Sequence, residues 1–186
     1  MMFIQKLKGL LKFPGWAIVF VFLCLVPRSG GAASGNLRFS VSFDKSEYAP
    51  EEPINVTFVL TNDGKSPVYV NKRFTISSEE APKNQKEVTF ILTSPSGKKM
   101  LCKYTYETGY PKTDYFELLE PGKEVKSEYP RNLRGFFDLT EEGTYKAVAV
   151  YQNMFGGEVG LDVFKDKLTS SPVSFKIAKP KGTQGP

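Results

Sequence analysis

The run Thr144 to Tyr151 (TYKAVAVY) constrains this chain more than any other, and it lies in a stretch from Leu118 to Asn153 that holds two turns and two strand-like runs. Tyr145, Ala147, Ala149 and Tyr151 are spaced two apart, so an extended strand projects all four to one side. Glu142-Gly143 turns the chain just before them. A Gly two residues ahead of a Tyr, at the mouth of a long strand, sets up a corner. There the Tyr hydroxyl bonds back to the backbone a few residues upstream and pins the strand's entry. Gly143 and Tyr145 are therefore the expected structural residues.

The same period of two recurs along the chain. Leu37, Phe39, Val41 and Phe43 alternate with polar residues, and Ile54, Val56, Phe58 and Leu60 make the clearest strand. Asn62-Asp63-Gly64 ends that strand with residues that tolerate positive φ, which is a hairpin signal. Pro67 to Val70 follows, and Phe74 and Ile76 continue it after a bend. Val88, Phe90 and Leu92 resume the alternation, Ser94 to Gly97 turns, and residues 99–106 return as a partner strand. Tyr115 to Leu119 leads into the Pro121-Gly122 turn, and Val125, Ser127 and Tyr129 form the next strand. Leu133 to Leu139 reads as an irregular crossover whose Phe136 or Phe137 plugs one end of the core. Val173, Phe175 and Ile177 make the last strand. Short strands at this spacing, with turn signals between them and no amphipathic helix, predict an all-β sandwich. In antibody domains the second Cys stands two residues after the corner Tyr, and here that position is Ala147. The expected fold is an immunoglobulin-like antiparallel β-sandwich of about seven to nine strands without a disulfide. It occupies residues 37–178 as a single domain, with 179–186 as a disordered tail.

The first residues read as a separate device. Lys6, Lys8 and Lys12 form a basic region, Trp16 to Val26 is an uncharged apolar core, and small residues follow in Gly30 to Ser34. The apolar run has the length of a signal-peptide core and falls short of the ~20 residues of a membrane span. Cleavage between Ala33 and Ser34 is expected, which leaves no stable membrane span and sends the protein to the periplasm or outside the cell. Leu23, before Cys24, is not the small residue that a lipoprotein signal wants. The chain carries 25 Lys and Arg against 20 Asp and Glu. Residues 1–33 hold four of those bases and no acid, which leaves 21 against 20. The basic balance thus reflects the leader, and no nucleic-acid partner is expected. Removing Cys24 leaves Cys102 alone, so the exported part depends on its apolar core.

There is no histidine. That removes Ser-His-Asp and Cys-His catalysis, the common zinc sites and the usual neutral-pH base. Acidic pairs remain at Glu51-Glu52, Glu79-Glu80, Glu141-Glu142, Asp114 with Glu117, and Asp162 with Asp166, most of them beside turns. No enzyme activity and no cofactor are expected. No loop has the regular spacing of a calcium loop. Asn55-Val56-Thr57 fits a glycosylation sequon but lies within a strand. The aromatic residues Tyr104, Tyr106, Tyr110, Tyr115 and Phe116 are the candidate binding residues, as a flat platform or as ordinary cross-strand packing. Val148 and Val150 alternate with the inward set, and they mark a docking face or a spot covered by residues 154–170.

Several segments carry a resemblance. They are Glu120 to Lys123, Asp138-Leu139, Gly143 to Tyr145, Tyr151 to Asn153, Gly160-Leu161 and Leu168 to Phe175. Together they resemble exported bacterial immunoglobulin-like domains of unassigned function. Ile54 to Asn62 with Pro67 to Val70 is similar to BsuPI-type proteinase-inhibitor domains and to the N-terminal sandwich of deuterolysin-type peptidases. The signal peptide, the disulfide-free sandwich and the absence of catalytic groups lead to the expectation of an exported, non-enzymatic binding or assembly module with a protein or glycan partner. A secreted proteinase inhibitor or pro-segment-like domain, or a carbohydrate-binding module, are the alternatives.

Overall fold

The computed structural model describes residues 37–83, 86–103 and 111–179. The expected leader with its Ala33–Ser34 cleavage point, residues 180–186 of the tail, and Tyr104, Tyr106 and Tyr110 lie outside the described residues. Among the described residues there are thirteen strands and three short 3-10 turns. The strands are β1 (Leu37–Phe43), β2 (Glu47–Tyr48), β3 (Asn55–Asn62), β4 (Val68–Asn71), β5 (Ile76–Ser77) and β6 (Val88–Thr93). They continue with β7 (Lys99–Met100), β8 (Phe116–Leu119), β9 (Glu124–Lys126), β10 (Arg131–Asn132), β11 (Gly143–Tyr151), β12 (Leu168–Thr169) and β13 (Val173–Ile177). No helix among the described residues is long and apolar enough to cross a membrane.

The strands form two sheets and a ribbon. In the first sheet β3 pairs with β1 from Val56 to Asn62, and β9 and β10 share its other edge. The second runs β2-β13-β11-β6-β5, with β12 beside β11 and β7 beside β6. Strands β4 and β8 make the ribbon. Most pairings are antiparallel; β2 on β13 and β5 on β6 are parallel.

The two sheets meet through the residues that the alternation turns inward. Val56, Phe58 and Leu60 of the first sheet, Ile54 just before it, and Tyr145, Ala149 and Tyr151 of β11 are all fully buried in one core cluster. The Phe58 ring sits edge-on to Phe90 at 6.2 Å, and Phe39 meets Tyr151 at 5.7 Å. Phe137 plugs the cluster against Phe90 at 6.0 Å, just after the 3-10 turn Leu133–Gly135. Tyr145 stacks flat on Phe175 at 5.1 Å, while its hydroxyl donates to the Glu141 carbonyl and accepts from the Glu141 N–H, both at 2.9 Å. Gly143 enters this corner at φ 117°, where a Cβ would also lie 3.0 Å from the Pro95 side chain. Cys102 is the one cysteine among the described residues, so no disulfide joins any two of them.

Four expectations of local structure are corrected. Asn62-Asp63-Gly64 makes no hairpin, because β4 pairs with β8 and not with β3. The Asn62 side chain instead accepts from the Gly64 N–H at 2.9 Å and donates to the carbonyls of Ser66 at 2.9 Å and Leu119 at 2.8 Å. Side-chain bonds of this kind give the backbone an alternative to a ladder. Phe74 and Ile76 do not extend β4. Phe74 takes φ 49°, a left-handed conformation unusual for a bulky residue, and Ile76 passes to the second sheet. The strand expected at 125–129 ends at Lys126, which leaves Tyr129 64% exposed, while Ser127 is buried and its Oγ accepts from the Phe58 N–H at 3.2 Å. Of the partner strand expected at 99–106, Lys99–Met100 is a strand and residues 101–103 are not, while 104–106 lie outside the described residues.

Two predictions test this core. Phe58→Ala should cost about 3–5 kcal/mol in chemical denaturation and Val59→Ala, on the half-buried face, under about 1 kcal/mol; similar costs would contradict the facing. Burial raises the Tyr151 phenol above its ordinary value. The native state then keeps a proton that the unfolded chain releases above about pH 10. Its contribution is therefore complete below pH 10 and is lost as pH climbs beyond it, at up to about 1.4 kcal/mol per pH unit. Denaturation midpoints measured from pH 8 to 11.5 should fall less steeply in Tyr151→Phe; parallel curves would contradict the assignment.

Candidate functional site

A polar network lies beside the apolar core where β4 meets the start of β6 and the end of β11. The Tyr151 hydroxyl donates to the Asn71 carbonyl and accepts from the Asn71 N–H, each at 3.0 Å. The Asn71 amide donates to Glu87 at 3.0 Å and to the Asn153 side chain at 3.2 Å. Glu87, Asn71 and Asn153 are all buried. Glu87 also accepts from the Thr75 N–H at 3.1 Å and pairs with the Arg73 guanidinium. A carboxylate removed from water this completely is tolerable only with such partners.

Arg73 carries the network to the surface. Its guanidinium lies 4.3 Å from the Tyr115 ring centroid and 5.8 Å from that of Phe155. Aromatic faces suit a guanidinium because their quadrupole attracts the cation. Phe155 is brought there by the 154–170 excursion. Gly156 (φ 130°) makes its turn possible, since a Cβ on it would sit 2.4 Å from Val163. Val163 in turn bridges to Tyr69 of β4.

Next to Arg73 stands Arg131 of β10, whose Nη2 donates to the Arg73 carbonyl at 3.1 Å. Arg131 has no carboxylate within ion-pairing distance among the described residues. The Nε–H groups of both Arg73 and Arg131 are buried and find no acceptor among the described residues. Both arginines line a cleft of about 540 Å³, within the size range of small-ligand sites. Its floor includes Thr75 and Val125, and its rim carries Lys72, Lys126, Asp114, Glu117 and Glu128. Lys72 is paired with Glu117 at 3.3 Å, and Lys126 with Glu124 at 2.9 Å. On one side lies β8, which pairs only with β4 among the described residues; on the other lie β9 and β10, which pair only with β3.

Of the aromatic residues singled out in the sequence, Tyr115 lines this cleft with the Arg73 guanidinium over its ring, and Phe116 is buried. These two do not form an open platform. Of the acidic pairs, only Asp114 and Glu117 reach the cleft. Glu141 instead accepts from the Ser96 hydroxyl and N–H, the first of which does most to hold its carboxyl below the usual range. Val148 and Val150 are half-buried. No group of three His, Cys, Asp or Glu among the described residues is placed to hold a metal ion. The sequence reading missed Arg73, Glu87 and Arg131. Glu87 stands directly before the apolar run of β6, and its burial depends on partners 12 to 16 residues away.

Glu87→Gln leaves the Arg73 charge without its counter-group and should cost about 3–5 kcal/mol. The double variant Arg73→Met/Glu87→Leu should be more stable than the sum of the single variants implies. Chemical denaturation checks both, and a neutral Glu87→Gln would contradict the network. A scan of the chain against protein-family models gives no match, and a search of curated proteins gives none either.

Proposed function

We propose that this chain is an immunoglobulin-like β-sandwich exported by a signal peptide that ends at Ala33. It acts as a non-enzymatic binding module in a bacterial envelope or outside the cell, through the cleft between β8 and β9–β10. Support for the fold reading comes from two sheets that share one core and from the Tyr145 hydroxyl bonded back to Glu141. The lack of any histidine favours binding over catalysis.

The observation that carries the binding reading is Arg131 at the cleft, a part-buried cation without a carboxylate partner among the described residues. A protein interior tolerates such a group when a partner completes it. Tyr115 and Phe155 hold the neighbouring guanidinium in place, so little ordering remains to be done on association.

Photo-crosslinking in the native host tests this. The full chain is produced with its own leader and a photoreactive residue at Glu117, on the cleft, or at Lys146, exposed on β11. The mature protein should begin at Ser34 and form discrete adducts from position 117 only. A product that keeps residues 1–33, or equal or absent adducts from both positions, contradicts the proposal.

A further inference from the structure

The chemistry of the cleft narrows what enters it, and this step rests on the cleft being the binding site. Arg131 offers a guanidinium whose Nη2 donates to the Arg73 carbonyl and which pairs with no carboxylate among the described residues. Guanidinium groups recognise carboxylate and phosphate through a planar fork of donors. Glu117 is already paired with Lys72, whereas Asp114 and Glu128 have no cationic partner among the described residues and repel a ligand that carries many negative charges. Together they favour a ligand with one carboxylate and a neighbouring cation.

The strand edges indicate the backbone to which those charges belong. β8 is paired only through β4, and β9 and β10 only through β3, so unpaired edges flank the cleft among the described residues. Unpaired edges present N–H and C=O groups that an extended peptide satisfies by adding a strand. In such a strand, side chains two apart point the same way, so a Lys and a Glu separated by one residue reach the rim together. We infer that the cleft between β8 and β9–β10 binds an extended polypeptide segment whose carboxylate pairs with Arg131, while a cationic side chain nearby on the same segment meets Asp114 or Glu128.

Titration of the full mature protein with defined peptides, followed by calorimetry and by amide chemical shifts, tests the inference. The probe is Ac-VKVEV-NH2, with Ac-VKVQV-NH2 as the uncharged control and Ac-VKVQV-OH as the chain-terminal source of the same carboxylate. The glutamate peptide should bind about tenfold more tightly than its amidated glutamine control. It should also shift amides of Glu117 and Lys126 on the flanking strands. Arg131→Met should remove that preference, and Lys146→Met should leave it unchanged. Tight binding of the free-acid glutamine peptide assigns the carboxylate to a chain end, and its weakness assigns it to a side chain; both agree with the inference. Equal binding of all three peptides overturns it without recourse to any variant. So does an unchanged preference in Arg131→Met, tighter binding of tri-galacturonate than of the peptide, or no peptide binding at all. Adducts from position 117 together with no carboxylate preference would leave the cleft as the binding surface and reject only this ligand class.

Discussion

The ring packing between the two sheets is the contact on which the rest of the molecule depends. Phe39, Phe58, Phe74, Phe90 and Tyr151 touch one another at centroid distances between 5.7 and 6.4 Å, drawing on both sheets and the bend between β4 and β5. Aromatic pairs at these distances add to the ordinary gain from burying apolar area. No covalent staple joins the described residues, so this packing carries the association of the sheets. It also holds Phe74 in a left-handed conformation that costs about 1–2 kcal/mol.

That bend connects the core to the cleft. Asn71, Arg73, Phe74 and Thr75 are consecutive but for one residue, and they divide between two environments. Phe74 points into the rings, while the others bond to Tyr151 and Glu87. Tyr151 belongs to both, with its ring in the aromatic cluster and its hydroxyl on the Asn71 backbone. The position of Arg73, and through its carbonyl the position of Arg131, is thus set by the same packing that joins the sheets. The cleft is thus held in shape by the same contacts that join the sheets.

The parts of the fold legible in the sequence are those governed by local alternation. β3 and β11 show it plainly, because each has one face that is fully buried and neighbours on both edges. The misses share a different cause. At Asn62 the side chain reaches Leu119, 57 residues away, and a three-residue turn motif carries no information about that partner. At Phe74 a tertiary gain in ring contacts overrides the local preference against positive φ. Arg73, Glu87 and Arg131 come from three separate segments, and nothing in the spacing of any one of them marks it. Tyr115 offers an aromatic face in the sequence, but the structure places that face beneath a guanidinium.

Native-state hydrogen exchange tests most directly whether core and cleft form one cooperative unit. The amides of Asn71 and Thr75, bonded to the Tyr151 hydroxyl and to Glu87, are the reporters, and those of Ala147 and Ala149 on β11 are the reference. A single unit requires both sets to exchange only through global unfolding, with the same free energy and the same denaturant dependence. Exchange of Asn71 and Thr75 through a local opening, several kcal/mol cheaper than global unfolding, would contradict it.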